Sequence, residues 1–124
     1  MEIQFTDREI DVMAVLWERG PSTVGEVKTA LKDDLAYTTV LTILRTLEGK
    51  RYVGHTQEGR GHRYFAAVEQ QAAQQSALRY VTRKLFKGSA ELLLTHLVSD
   101  RKLSASQIRK MRALLDGKSQ KGES

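Results

Sequence analysis

The hydrophobic period of this chain changes near residue 52, and that change limits what the first half can fold into. Before it, three stretches repeat their apolar residues at the spacing of an amphipathic helix. After it, Tyr52 to Gln57 and His62 to Ala66 are aromatic and alternating, the pattern of two strands. Glu58-Gly59-Arg60-Gly61 supplies the glycines for a turn between them. Three helices and a hairpin within about 65 residues, the second and third helices closely coupled, match a helix-turn-helix completed by a wing. The expected fold is mainly α, with a winged helix-turn-helix over residues 1–67.

Local signals place the elements. Thr6-Asp7-Arg8-Glu9 has the form of a capping box, in which a Thr oxygen and a Glu carboxylate satisfy orphan amides reciprocally. It predicts a helix from Asp7 to Arg19 that buries Ile10, Met13, Leu16 and Trp17, stopped by Gly20-Pro21. Thr23-Val24-Gly25-Glu26 repeats the pattern and opens a short helix to about Lys32, with Val24, Val27 and Leu31 on one face. Asp33 to Ala36 leads to the third helix, about Tyr37 to Lys50.

That third helix has two faces of different chemistry. Val40, Ile43, Leu44 and Leu47 form a stripe for burial, and Thr38, Thr39, Thr42, Arg45 and Thr46 lie opposite. Solvated helix faces favour Glu and Lys, whereas Thr is a mediocre helix former, so a threonine-rich face points to contact rather than stability. Short hydroxyl side chains reach phosphates or base edges, and the Thr methyl can meet a thymine methyl. Thr38, Thr39 and Thr42 are the candidate base readers, flanked by Tyr37, Arg45 and Thr46 for phosphates. The plain alternative is a solvated face that happens to be rich in threonine. Leu41 lies at the margin of the face, open to a thymine methyl or to packing.

Charge agrees with that placement. The net charge is +5, but residues 1–44 carry four basic against eight acidic side chains, while residues 45–65 carry five against two. A polyanion such as double-stranded DNA would meet the positive segment. At the hairpin, Arg60 and Arg63 could address phosphate or the minor groove, or simply be solvated. Lys50 and Arg51 could touch the DNA backbone, or serve as favourable charges at a helix C-terminus.

From Glu69 the pattern is wholly helical, and residues 68–117 read as a three-helix domain followed by a polar tail, 118–124. A helix of about Glu69 to Phe86 carries Ala73, Ala77, Tyr80, Val81 and Leu85. Gly88-Ser89 breaks it, and Ser89 caps a helix to about Val98 with Leu92, Leu93, Leu94 and Leu97. Ser104-Ala105-Ser106-Gln107 opens a last helix with Ile108, Met111, Leu114 and Leu115, expected to end at Gly117. So small an apolar unit usually needs oligomerisation. Tyr80, Val81, Leu85, Leu92, Leu93, Leu97, Ile108, Met111 and Leu115 are therefore candidate dimer contacts, the alternative being packing against the chain's own first domain.

Several classes of function are excluded. With no cysteine there is no disulfide, thiolate metal site or cysteine nucleophile. No nucleophile elbow, phosphate loop or zinc-protease motif occurs, so neither an enzyme nor a cofactor is expected. His55, His62 and His96 can be read as metal ligands, but without a completing carboxylate or thiol set they read better as surface imidazoles, and no metal is expected. Trp17 reads as a core residue. No apolar run approaches the roughly 20 residues of a membrane span, and nothing resembles a signal peptide. The expectation is a soluble, cytoplasmic protein without direct membrane insertion.

The chain resembles the penicillinase repressor (BlaI/MecI-type) family of bacterial transcription regulators. The resemblance rests on Glu9-Ile10-Asp11-Val12-Met13-Ala14-Val15-Leu16-Trp17, Thr23 with Glu26-Val27, the run Thr38 to Leu47, Gly59-Arg60 leading to Tyr64, Gly88-Ser89, and Leu103-Ser104. It implies a homodimer with N-terminal winged helices and C-terminal dimerisation helices, repressing by occupying palindromic operators, often with TACA/TGTA-type half-sites. It maps base reading onto Thr38, Thr39 and Thr42. In one branch, induction by a regulatory protease downstream of a membrane sensor cleaves an Asn-Phe pair, which falls on His96-Leu97 in this sequence. A copper-responsive branch uses paired cysteines, which this sequence lacks. The alternative function is a winged-helix protein-interaction module whose basic segment docks an acidic partner.

Overall fold

The computed structural model describes residues 2–100 and 102–122, with side chains described as far as Lys118 in the last helix. It divides into two compact units, Met1–Tyr80 and Val81–Ser124. The first unit therefore extends to Tyr80, beyond the residue-67 boundary expected from the change of pattern.

In the first unit α1 is Asp7–Arg19, followed by β1 (Ser22–Thr23), α2 (Val24–Ala30), α3 (Tyr37–Gly49), β2 (Val53–Glu58) and β3 (Gly61–Ala66). Both expected capping boxes form. Thr6 Oγ accepts from the Glu9 amide and Glu9 returns the bond to the Thr6 amide, and Thr23 and Glu26 do the same for α2. The core is built from Val12, Met13, Leu16, Val27, Val40, Leu44, Leu47, Val53 and Tyr64, with Trp17, Leu41 and Ile43 packed at its margin. Trp17 Nε1 donates to the Val68 carbonyl, and its ring meets Phe5 edge-on.

One expected core residue is misplaced. Ile10 is exposed, because the buried stripe of α1 runs Glu9, Val12, Met13, Leu16, one residue earlier than the apolar pattern suggests. A carboxylate can occupy the first position of that stripe only because it is fully partnered.

The sheet is antiparallel in the order β1-β3-β2. The two residues of β1 escape a reading by pattern, because they form a strand and the cap of α2 at once. At the hairpin, Glu58 pairs with Gly61, leaving a two-residue turn with Gly59 at φ 61°. Positive φ at the first central position is the type II′ arrangement, which matches strand twist. Where Gly54 faces Phe65, a Cβ would lie 2.5 Å from the ring, so the glycine is the seat for that aromatic.

α4 (Gln70–Leu85) begins in the first unit, where Ala73 and Ser76 are buried and Ser76 Oγ accepts from the Ile3 amide at 2.7 Å. In the second unit α5 is Ala90–Asp100, capped by Ser89 Oγ accepting from the Leu92 amide, and α6 is Ala105–Gly122, opened by the reciprocal Ser104–Gln107 bonds. α6 does not stop at Gly117. An interior glycine costs a helix only about 1 kcal/mol, and no proline follows to end it. The rest of the expected tail, residues 123 and 124, lies outside the described residues.

None of the residues of α5 is buried, and Leu92, Leu94, Leu97, Ile108, Met111 and Leu115 are exposed. Leu94, Val98, Leu103, Ile108, Met111 and Leu115 line an open apolar groove of about 440 Å³ between α5 and α6. Among the described residues, no helix is long and apolar enough to cross a membrane.

Candidate nucleic-acid interface

α3 is held by one side. Val40, Leu44 and Leu47 are completely buried, and this fixes Thr38, Thr39, Thr42, Arg45 and Thr46 on the exposed side. Thr42 Oγ1 donates to the Thr38 carbonyl and Thr46 Oγ1 to the Thr42 carbonyl, both at 2.9 Å. Each hydroxyl thus spends its proton on the helix and retains lone pairs to accept with. Thr38 and Thr39, in the first turn, are exposed without a side-chain hydrogen bond among the described residues, and Tyr37 beside them is half exposed. Leu41 packs against the core at its margin.

The sheet supports this helix through Tyr64, whose buried ring belongs to the core. Burial pushes its phenol pKa up, the Glu48 carboxylate adds to the rise, and the Arg45 guanidinium opposes it. Arg45 and Glu48 of α3 are thus the charged groups that act on the Tyr64 hydroxyl.

Of the wing cations, Arg60 at the turn is exposed. Arg63 is engaged instead. Its Nη1 donates to Glu26 Oε1 at 3.0 Å and to the Pro21 carbonyl at 3.1 Å, and its Nε bonds Glu58. It locks β3 to the start of α2. The Thr23 amide foremost, with Arg63, holds the Glu26 carboxyl below its ordinary value, and Arg63 does the same for Glu58. Lys50 is likewise committed, its Nζ donating to both oxygens of the buried Glu9 at 2.9 Å. Burial alone would raise the Glu9 pKa, but the Thr6 amide and the Lys50 ammonium outweigh it and the net shift is downward. Both capping-box glutamates therefore have a second task, each neutralising a cation from a distant element. Nothing in the local pattern signals that pairing.

Arg51 is exposed and adopts φ 69° at the C-terminus of α3, where the Arg51 amide donates to Glu48 O and the Tyr52 amide to Leu47 O. This is a Schellman ending with arginine where glycine is usual. Across the hairpin the His55 and His62 rings stack, with centroids 4.1 Å apart and planes 16° apart, and His55 Nδ1 lies 2.5 Å from Glu48 Oε2. In-plane lone pairs of near-parallel rings do not converge on one ion. In the second unit the His96 ring meets Phe86 edge-on and Leu97 is exposed.

A family profile described as Penicillinase repressor matches residues 5–117. The chain belongs to that family. Over 61 residues it is 48% identical to the transcriptional regulator BlaI of Mycobacterium tuberculosis (strain H37Rv), which is 47% of this chain and 44% of that protein. The aligned part thus spans less than half of that relative's length. The methicillin resistance regulatory protein MecI of Staphylococcus aureus (strain N315) is 20% identical over 117 residues, covering 93% of this chain and 95% of that one.

Among solved structures, BpsR of Bordetella bronchiseptica is similar with a TM-score of 0.52 at 13% identity, covering 93% of this chain and 80% of its own. The regulator Tm0710 of Thermotoga maritima gives 0.51 at 20%, covering 94% and 77%. Oxidised MarR of E. coli gives 0.51 at 17%, covering 92% and 75%. At these identities the likeness is one of fold, and the fold is that of winged-helix regulators. The family and these relatives are transcriptional regulators, not enzymes.

Proposed function

We infer that this chain is a dimeric, sequence-specific repressor that occupies a two-fold operator in double-stranded DNA through α3 and the wing. The observation that carries the reading is the threonine face of α3, which is exposed because Val40, Leu44 and Leu47 hold the opposite face in the core. Thr38, Thr39 and Thr42 read bases from the N-terminal half of the helix, as major-groove helices do. Tyr37, Arg45, Thr46, Arg51 and Arg60 address the backbone, giving salt-sensitive affinity without sequence information. Lys50 and Arg63 act indirectly, holding α3 and the wing in place through Glu9, Glu26 and Glu58.

The exposed leucines of α5 and α6 support dimerisation through the second unit, with Leu92, Leu93, Leu97, Ile108, Met111 and Leu115 at its centre and Tyr80, Val81 and Leu85 contributed by α4. Two copies of α3 then meet one palindrome. Derepression acts on the C-terminal helices, through a regulatory protease or a membrane-sensor pathway. His96-Leu97, in place of the Asn-Phe pair, implies that cleavage at that bond is lost or altered. A DNA-binding role places the protein in the cytoplasm.

Duplex binding across a salt series tests the reading. Tight, sequence-selective binding with a steep salt slope is expected; weak, sequence-blind binding would point to a protein-docking module instead.

A further inference from the structure

The sheet face that carries Tyr64 also carries His55 and His62, and this face borders α3. His55 is opposite Tyr64 in the register, and Tyr64 feels Arg45 and Glu48 of α3. Along α3 the spacing is that of successive turns: Thr42, Arg45, Glu48. The reading face is thereby continuous, through Arg45 and Glu48, with the imidazole pair of the wing. The side chains of His55 and Glu48 are each about a third exposed, and His62 is half-buried, so the pair is open to solvent.

The charges facing this pair do not balance once it is doubly protonated. Glu48 would neutralise an imidazolium at His55, while Arg45 stands one turn earlier on the same helix. Glu58 is spent on Arg63. Two positive charges on rings stacked at 4.1 Å would repel each other, and among the described residues Glu48 is the one carboxylate hydrogen-bonded to either ring. A backbone phosphate approaching the solvent-exposed side of the pair would supply a second negative charge. Imidazole is also the side chain that changes charge between pH 5 and 8.

We propose that His55 and His62 form a proton-linked phosphate contact between wing and reading helix, so that binding of duplex DNA takes up a proton at the pair. This rests on the DNA-binding reading above and adds to it two contact residues and a pH response. The sign follows from linkage. A group that binds its proton more tightly in the complex makes the complex stronger as pH falls.

The test measures affinity of the 124-residue chain for a duplex it has selected from a randomised pool, at fixed ionic strength. Affinity should rise roughly tenfold from about pH 8 to about pH 6. His62→Gln and His55→Gln should each flatten that rise, while His96→Gln, in the second unit, should keep it. In proton NMR of the wild type, the His62 ring signals should titrate at higher pH with the duplex than without it. A wild type whose affinity ignores pH, or a double His55→Gln/His62→Gln variant with the full pH response, would overturn the proposal. If no duplex is selected at any pH, the DNA-binding reading falls with it, which separates that failure from a pH-insensitive binder.

Discussion

Lys50 Nζ donates to both carboxylate oxygens of Glu9, at 2.9 Å each, tying the C-terminus of α3 to the first turn of α1. Glu9 is almost fully buried and also caps its own helix, so it cannot lose its cation cheaply. Lys50→Met should lower stability by about 2 kcal/mol in denaturant melts, less than a fully buried pair because Lys50 remains partly exposed. The Glu9→Gln/Lys50→Met pair should recover part of that loss. Because the Glu9 carboxyl sits below its ordinary value in the folded state, its contribution is present above the unfolded value and vanishes as pH falls through the depressed one. Wild-type melts should therefore weaken in acid more steeply than those of Glu9→Gln.

Arg51 holds a left-handed conformation that suits glycine better. Arg51→Gly should raise stability by about 1 kcal/mol through relief of the Cβ clash, measured by urea unfolding. The same change removes one positive charge beside the proposed DNA face, so salt-dependent binding should weaken slightly while sequence preference stays.

The glycine under Phe65 makes the opposite prediction. Gly54→Ala sets a Cβ against the ring, and the ring must tilt outward to admit it. A loss of roughly 1–2 kcal/mol is expected, with much of it absent in a Phe65→Ala background, where the clash is gone.

Arg60 and Arg63 are separated by three positions but should behave differently. Arg60→Ala should weaken binding to every duplex alike and leave the melting temperature unchanged, since Arg60 is exposed at the turn. Arg63→Ala should lower the melting temperature, because it releases Glu26, Glu58 and the Pro21 carbonyl together. Equal melting temperatures for both variants would remove Arg63 from its positioning role.

Leu97→Asp on α5 should abolish self-association, as seen by sedimentation at micromolar concentration, if the exposed leucines are the dimer seam. A wild type that sediments as a monomer would contradict that seam outright.

Much of the frame was legible in the sequence. Thr6, Thr23 and Ser104 announced helix starts, because a capping box is local chemistry with a fixed spacing. The change of period announced the hairpin, and the threonine face of α3 emerged from periodicity alone. What escaped was non-local. Glu9 entered the α1 stripe in place of Ile10 because its partner Lys50 lies 41 residues away. β1 is two residues long and exists only because β3 passes beside it. Arg63 looked like a free wing cation because its partners come from α2 and β2. Gly117 looked like a stop, but one glycine does not end a helix otherwise made of good helix formers.

Binding-site selection tests most directly whether the threonine face of α3 reads sequence. The wild type, Thr39→Ala and Thr42→Ala would each select duplexes from a randomised pool, with folding checked by melting temperature. The wild type should yield a two-fold consensus, and each variant should lose preference at particular symmetric positions, about 1–3 kcal/mol per base pair affected. An unchanged consensus in both variants would contradict a reading role for that face.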